Sequence, residues 1–255
     1  MRIPPVRRTL AALAIAATGL GGALASTPAV ATAVSHGPVA SHHVGTRVDH
    51  HWNSTSSNWA GYAVGAAGTR YTSVSASWVQ PAVSCTSTNT WSSFWVGLDG
   101  YNSGSVEQTG TEADCSGGRA VYSSWYEMYP KFPVNYSNTV APGDHFTASV
   151  TTNGSGSFTL KLSDTTRGWS HTTTATYNSA ALSSAEVIAE APSSSSGVLP
   201  LSNFGTVSFS GSTANGTLFG SLAGRDAITM ASGSTTKATP SSISGGSFSV
   251  TWHHI

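Results

Sequence analysis

From Tyr71 to Trp252 the chain keeps returning to one pattern: apolar and polar residues alternate for a few positions, then Gly, Ser, Asn or Pro breaks the run. Successive side chains of a β-strand point to opposite faces, so a period of two marks a half-buried strand. Tyr71 to Val79 puts Val74, Ala76 and Trp78 on one face, and His145 to Val150 puts Phe146, Ala148 and Val150 together. Arg119 to Tyr129, Ser157 to Leu162, Ala185 to Glu190, Thr206 to Phe209 and Ser247 to Trp252 obey the same rule. Many short strands between turn residues predict an all-β fold, an antiparallel sandwich or barrel. Amphipathic helices need Lys, Glu, Gln and Arg for their wet faces, and only 9% of the residues are charged. No helix longer than a turn or two is expected.

The N-terminus departs from this pattern. Arg2, Arg7 and Arg8 precede an uncharged run from Leu10 to Leu24, followed by small-x-small triplets such as Ala29-Val30-Ala31 and Ala31-Thr32-Ala33. These are the charged region, apolar region and cleavage site of a secretory signal, assigned to residues 1–33. A membrane-spanning helix needs about twenty strongly apolar residues, and no later segment supplies them. Residues 34–51 contain His36, His42, His43, His50 and His51 with little apolar periodicity. They read as a leader or short propeptide outside the fold, with histidines too irregularly spaced for a metal site. Residues 52–255 are then one secreted, extracellular domain, large enough for a single hydrophobic core.

From Trp52 onward there are seven basic and ten acidic residues, and 7 − 10 gives a net charge of −3. Nothing in that balance recruits nucleic acid or an anionic membrane. Cys85 and Cys115 are the only two cysteines, and in an oxidising compartment they pair most simply as one disulfide. A monomer is the expectation for such a chain.

Several reaction classes lack their residues. There is no Gly-x-Ser-x-Gly elbow, His-Glu-x-x-His, Cys-x-x-Cys or phosphate-cradling loop, so no metal or cofactor is expected. Beyond the leader only His145, His171, His253 and His254 remain, which leaves few partners for a nucleophilic Ser or Cys. His145 points away from Phe146, towards solvent.

Polar groups set among aromatic residues stand out instead. They lie in Phe94-Trp95-Val96-Gly97-Leu98-Asp99-Gly100, in Val106-Glu107-Gln108-Thr109-Gly110 and in Ser124-Trp125-Tyr126-Glu127-Met128-Tyr129-Pro130. Alternation places Trp125, Glu127 and Tyr129 on one face, as in a cleft, and Tyr126 and Met128 on the other. In Ala185-Glu186-Val187-Ile188-Ala189-Glu190 the two glutamates share a face with Ile188. They stand about 13 Å apart along the strand, too far for a tight carboxylate dyad. Glu186 reads as a solvated carboxylate at a strand end.

These segments, in this order, resemble the glutamic peptidases, the eqolisin family (peptidase family G1), in a secreted member of bacterial type. Asn58-Trp59-Ala60-Gly61-Tyr62 is similar to the start of the mature enzymes, and Trp95 to Gly100 to their WVG-x-DG signature. Gln108-Thr109-Gly110 matches QTG, Trp125 to Pro130 matches WYEWYP, and Ala185 to Glu190 matches AE-x-I-x-E. The resemblance implies Gln108 and Glu190 as the catalytic pair, with Trp95, Asp99, Trp125, Glu127 and Tyr129 binding substrate or supporting the pair. It also implies a lectin-like sandwich of two bent antiparallel sheets, of concanavalin and glucanase architecture, and an endopeptidase acting on proteins in acid. The Cys85–Cys115 bridge would staple the loop before Trp95 to the turn after Gln108 and hold the floor of the cleft.

The residue types suit amide hydrolysis. A carboxylate can deprotonate an attacking water without histidine, and a primary amide offers an N–H to a developing oxyanion. Glu112, Ser123 and Val187 depart from the fungal pattern, which bears on subsites and pH optimum more than on the reaction. A glycan-binding module or glycoside hydrolase on the same fold is the alternative, with Glu127 and Glu190 as two carboxylates on adjacent strands.

Overall fold

The alternating runs are strands in the computed structural model, which describes residues 47–48 and 51–255. The export signal at 1–33, and His36, His42, His43 and His50 of the leader, lie outside the described residues. In chain order the main strands are β1 (His51–Ser56), β2 (Trp59–Val64), β3 (Ser73–Val79), β4 (Ser93–Leu98), β5 (Val106–Ser116) and β6 (Arg119–Tyr129). There follow β7 (His145–Thr152), β8 (Ser157–Asp164), β9 (Trp169–Thr176) and β10 (Ala185–Glu190). The last are β11 (Thr206–Ala214), β12 (Arg225–Ser232), β13 (Thr235–Pro240) and β14 (Phe248–Trp252). Among the described residues the helical content is one 3-10 turn, Phe219–Ser221.

Pairing sorts the strands into two layers. One runs β6–β5–β4–β10–β2–β12–β1 and is antiparallel except for the parallel β12–β1 edge. The other runs β9–β8–β7–β3–β11–β14–β13 and is antiparallel throughout. β13 also pairs with β12, so the layers are continuous at that edge. This is the antiparallel β-sandwich that the alternation predicts.

Between the layers lies the main core. Val74, Ala76 and Trp78 of β3 meet Phe146, Ala148 and Val150 of β7, and opposite them stand Phe94, Val96 and Leu98 of β4 and Val187 of β10. Trp78 and Phe146 stack with ring centroids 5.9 Å apart, and Trp78 Nε1 donates to Thr111 Oγ1 of the other layer at 3.0 Å. Burying one such side chain contributes about 1.5–3 kcal/mol. The outward positions of β3, β7 and β11 carry small hydroxyls such as Ser75, Ser77, Thr147, Ser149 and Ser208.

The first layer is different: β2, β4 and β10 are buried on both faces. Its face away from the main core holds a second apolar cluster of Trp59, Ala63, Trp95, Val106, Trp125, Ile188 and Ile228, with Tyr101 and Tyr129 against it. That second cluster is what floors the candidate site.

Three expectations need correction. Cys85 and Cys115 are bonded, but β5 continues from Gln108 through Cys115 as one strand. The bridge therefore lies seven residues, about 23 Å, along the strand from Gln108, and ties the far end of β5 rather than the floor of the cleft. Secondly, β1, β2, β4, β5, β9, β12 and β13 are strands beyond the seven alternating runs. In β12 the inward positions of the alternation include Asp226, a buried charge that hides the period. Thirdly, β3 begins at Ser73 rather than Tyr71, and β11 runs on past Phe209 to Ala214.

Candidate active site

Backbone register arranges the outer face of the first layer into three rows. Glu127, Gln108, Gly97, Glu186, Ala63 and Asp226 stand level across β6, β5, β4, β10, β2 and β12. The next row is apolar: Trp125, Gly110, Trp95, Ile188, Gly61 and Ile228. The third is Ser123, Glu112, Ser93, Glu190 and Trp59. Two residues along a strand separate successive rows by about 7 Å, so a strip of tryptophan and isoleucine divides two acidic rows. At Gly110 a Cβ would stand 2.3 Å from the Phe94 carbonyl oxygen and 2.6 Å from Trp95 Cβ. Only glycine lets β4 and β5 approach there with Trp95 in place.

Hydrogen bonds hold both acidic rows. Trp95 Nε1 donates to Glu190 Oε2 at 2.8 Å, and Asn58 Nδ2 donates to Glu190 Oε1 at 3.0 Å. Gln108 Nε2 donates to Glu127 Oε2 at 2.9 Å. Trp59 packs edge-on against Trp95, with centroids 5.1 Å apart. Trp95, Gln108, Trp125, Glu127 and Glu190 are each 0% exposed, so the site is enclosed in this structure. Tyr129 is half-buried at its margin.

Burial pushes the Glu190 carboxyl well above the usual range, and the nearby charge of Glu127 adds to this, while N–H donors from Trp95, Trp59 and Asn58 pull it back. By register Gln108 and Glu127 lie in the first row and Glu190 in the third, and what links the two rows is the charge of Glu127 acting on Glu190. Glu127 and Glu190 are not on adjacent strands, however: β5 and β4 run between β6 and β10. The carboxylate pair of the glycosidase reading loses its premise.

Asp99 lies outside this group. It follows β4 at a φ of 67°, is fully buried, and accepts the backbone N–H groups of Leu182 and Ser183, each at 2.7 Å. It thus anchors the turn leading into β10, the strand that carries Glu190. Glu186 is not solvated, as its place near a strand end suggested, but fully buried; burial is the main cause that raises its pKa, with the charges of Asp99 and Glu107 adding to it. Burial and then the charge of Asp99 push Glu107 up to about 8.

Sequence reasoning also missed Asp226, which accepts hydrogen bonds from the hydroxyls of Ser54 and Tyr101, the latter at 2.8 Å. No local pattern marks it, since its partners lie 172 and 125 residues away. Asn58 was visible inside the Asn58-Trp59-Ala60-Gly61-Tyr62 segment but carried no role. Among the described residues no group of three or more His, Cys, Asp or Glu side chains is placed to hold a metal ion.

This geometry has relatives. The sequence profile of the Peptidase A4 family matches residues 57–252. Aspergillopepsin-2 of Aspergillus niger is 31% identical over 225 residues, covering 77% of this chain and 78% of that protein. The crystal structure of scytalido-glutamic peptidase with a transition-state analogue inhibitor superimposes with a TM-score of 0.67 at 26% identity, covering 77% of this chain and 98% of the other. Aspergilloglutamic peptidase from Aspergillus niger gives a TM-score of 0.58 at 25% identity, covering 64% and 99%. The chain belongs to the Peptidase A4 family, the glutamic peptidases or eqolisins, and is an endopeptidase of that kind.

Proposed function

We propose that Glu190 is the general base and Gln108 the oxyanion donor of this peptidase, acting on peptide bonds of protein substrates through a water nucleophile. The observation that carries the reading is the Glu190 carboxyl, gripped by Trp95 and Asn58 and under the influence of Glu127, which in turn holds Gln108.

In the first step Glu190 takes a proton from water as the oxygen attacks the scissile carbonyl carbon. The resulting oxyanion accepts an N–H of Gln108. A primary amide carries two N–H donors; one goes to Glu127 and fixes the amide plane, and the other is assigned to the oxyanion. Glu190 then returns its proton to the leaving nitrogen as the C–N bond breaks, releasing an acid and an amine. Trp95, Trp125 and Tyr129 supply the walls against which a peptide lies.

Enclosure works against a base, because burial favours the neutral carboxyl. Admitting water and substrate to Glu190 removes part of that penalty, so the acid-active form is an opened one. We place the protein outside the cell as a secreted, bacterial-type member, with residues 1–33 lost on export and 34–51 removed afterwards. N-terminal sequencing of protein secreted at neutral pH and then acidified shows a shift on this view, and its absence refutes the second cut.

The catalytic assignment is tested on a denatured protein substrate at acid pH. Glu190→Gln abolishes cleavage, and Gln108→Ala lowers kcat by about a hundredfold or more, both with an unchanged melting profile. Full activity of Glu190→Gln, or degradation of a polysaccharide but no protein, overturns it.

A further inference from the structure

Asn58 binds Glu190 from outside the strands that carry the rest of the site. Asn58 is 0% exposed, sits in the tight connection between β1 and β2, and faces Glu190 across 132 residues of sequence. Its backbone carbonyl accepts the N–H of Ala191, the residue after Glu190, at 2.8 Å, so main chain and side chain of Asn58 both bind the end of β10.

The chemistry of Ser56 fixes which way the Asn58 amide points. Ser56 Oγ accepts the backbone N–H of Asn58 at 3.3 Å and that of Trp59 at 3.1 Å. A hydroxyl has two lone pairs and one proton. With both acceptor positions used, the proton is directed at Asn58 Oδ1, 3.1 Å away. The oxygen of the amide is thereby held against Ser56 and the NH2 group turned to Glu190. Asn58 can then only donate to Oε1, as Trp95 Nε1, a donor without acceptor capacity, can only donate to Oε2.

We infer that Asn58, oriented by Ser56, is a positioning residue that favours the proton-free form of Glu190. This rests on Glu190 being the base. Hydrogen bonds to the charged form of a carboxyl favour that form. Against it act burial and the carboxyl of Glu127 on β6; Glu112 of β5 stands in the same register row as Glu190, beyond Ser93. From β4 and β2 the facing side chains are Trp95, Ser93 and Trp59, none of which titrates in acid.

The test is the pH dependence of kcat/KM for protein expressed as the full chain and recovered from the medium, in wild type, Asn58→Ala and Ser56→Ala. The acid limb, where the base gains its proton, moves to higher pH in Asn58→Ala, and kcat/KM on that limb falls roughly tenfold or more, the worth of one hydrogen bond to a charged group. Towards neutral pH the difference narrows. Ser56→Ala moves the limb the same way by less, since the amide is retained but its orientation is lost, and it serves if Asn58→Ala fails to fold. An unmoved limb, or a loss of activity equal at every pH, overturns the inference. Glu190→Gln measured alongside separates the failures: if it is inactive while both other variants keep the wild-type limb, only the role of Asn58 falls. If Glu190→Gln is active, the base assignment falls with it.

Discussion

Gln108 and Glu127 stand directly opposite on β5 and β6 and share a hydrogen bond from Nε2 to Oε2 of 2.9 Å. The bond orients the amide, and the same carboxyl acts on Glu190 through its charge. Replacing Glu127 with Leu removes both effects. Expected are a fall in kcat of about ten- to a hundredfold with KM little changed, and an acid limb displaced to lower pH, opposite to Asn58→Ala. Steady-state kinetics between pH 2 and pH 7 decide the point, and a limb moving upward contradicts it.

Glu107 gives the fold a dependence on pH of unusual sign. Its carboxyl is pushed from its ordinary 4.5 to about 8, by burial and then by Asp99. The native state thus holds a proton that the unfolded state releases. Stability is fully present below about 4.5 and declines as pH rises towards 8. Glu107→Gln, neutral at every pH, removes this slope. Its Tm at pH 8 exceeds that of wild type by on the order of 10 °C, since 1 kcal/mol moves Tm by about 2–4 °C in a domain of this size, and the two converge at pH 4. Calorimetry across that range with parallel curves would falsify the assignment.

The Cys85–Cys115 bridge closes a loop of separation 30, which by chain entropy is worth about 3–4 kcal/mol. Cys85→Ala with Cys115→Ala is expected to lose stability of that order in urea titration. Because the bridge is remote from Gln108, kcat/KM stays within a few-fold of wild type where the variant is folded. A hundredfold loss there would mean the bridge reaches the site after all.

At Gly110 a single methyl group is enough to disturb the strip between the acidic rows. Gly110→Ala forces the methyl against the Phe94 carbonyl and Trp95 Cβ. A destabilisation of about 1–3 kcal/mol is expected, as for overpacking elsewhere. Trp95 must shift, so its hydrogen bond to Glu190 lengthens and activity falls with it. Intrinsic Trp fluorescence and the assay at acid pH check both; an unchanged rate shows that Trp95 tolerates the shift.

Alternation made β3, β7, β8, β11 and β14 of the second layer legible, because these strands have one wet face. Trp78, Phe146 and Phe158 point inward where the sequence puts them. It served less well in the first layer, where β2, β4 and β10 are covered on both sides and polar residues on the outer face are buried too. Glu186 is the plainest case: a charged residue near a strand end reads as wet, yet Ile188 and the tryptophan strip roof that face. The motifs named Trp95, Gln108, Trp125, Glu127 and Glu190, all of them buried on the outer face of the first layer. They did not separate Asp99, which holds a turn, from residues that hold a carboxyl, nor reveal Asp226, whose partners are distant in sequence.

Glu190 draws its hydrogen bonds from Trp95, 95 residues earlier, and from Asn58, 132 residues earlier. A nascent chain, or one threaded unfolded through a translocation pore, carries all these residues and none of their geometry. With Glu190 as the proposed base, hydrolytic competence waits for the closing of β10 between β2 and β4. Until that closure the polypeptide is a possible substrate for proteases and not yet one of them.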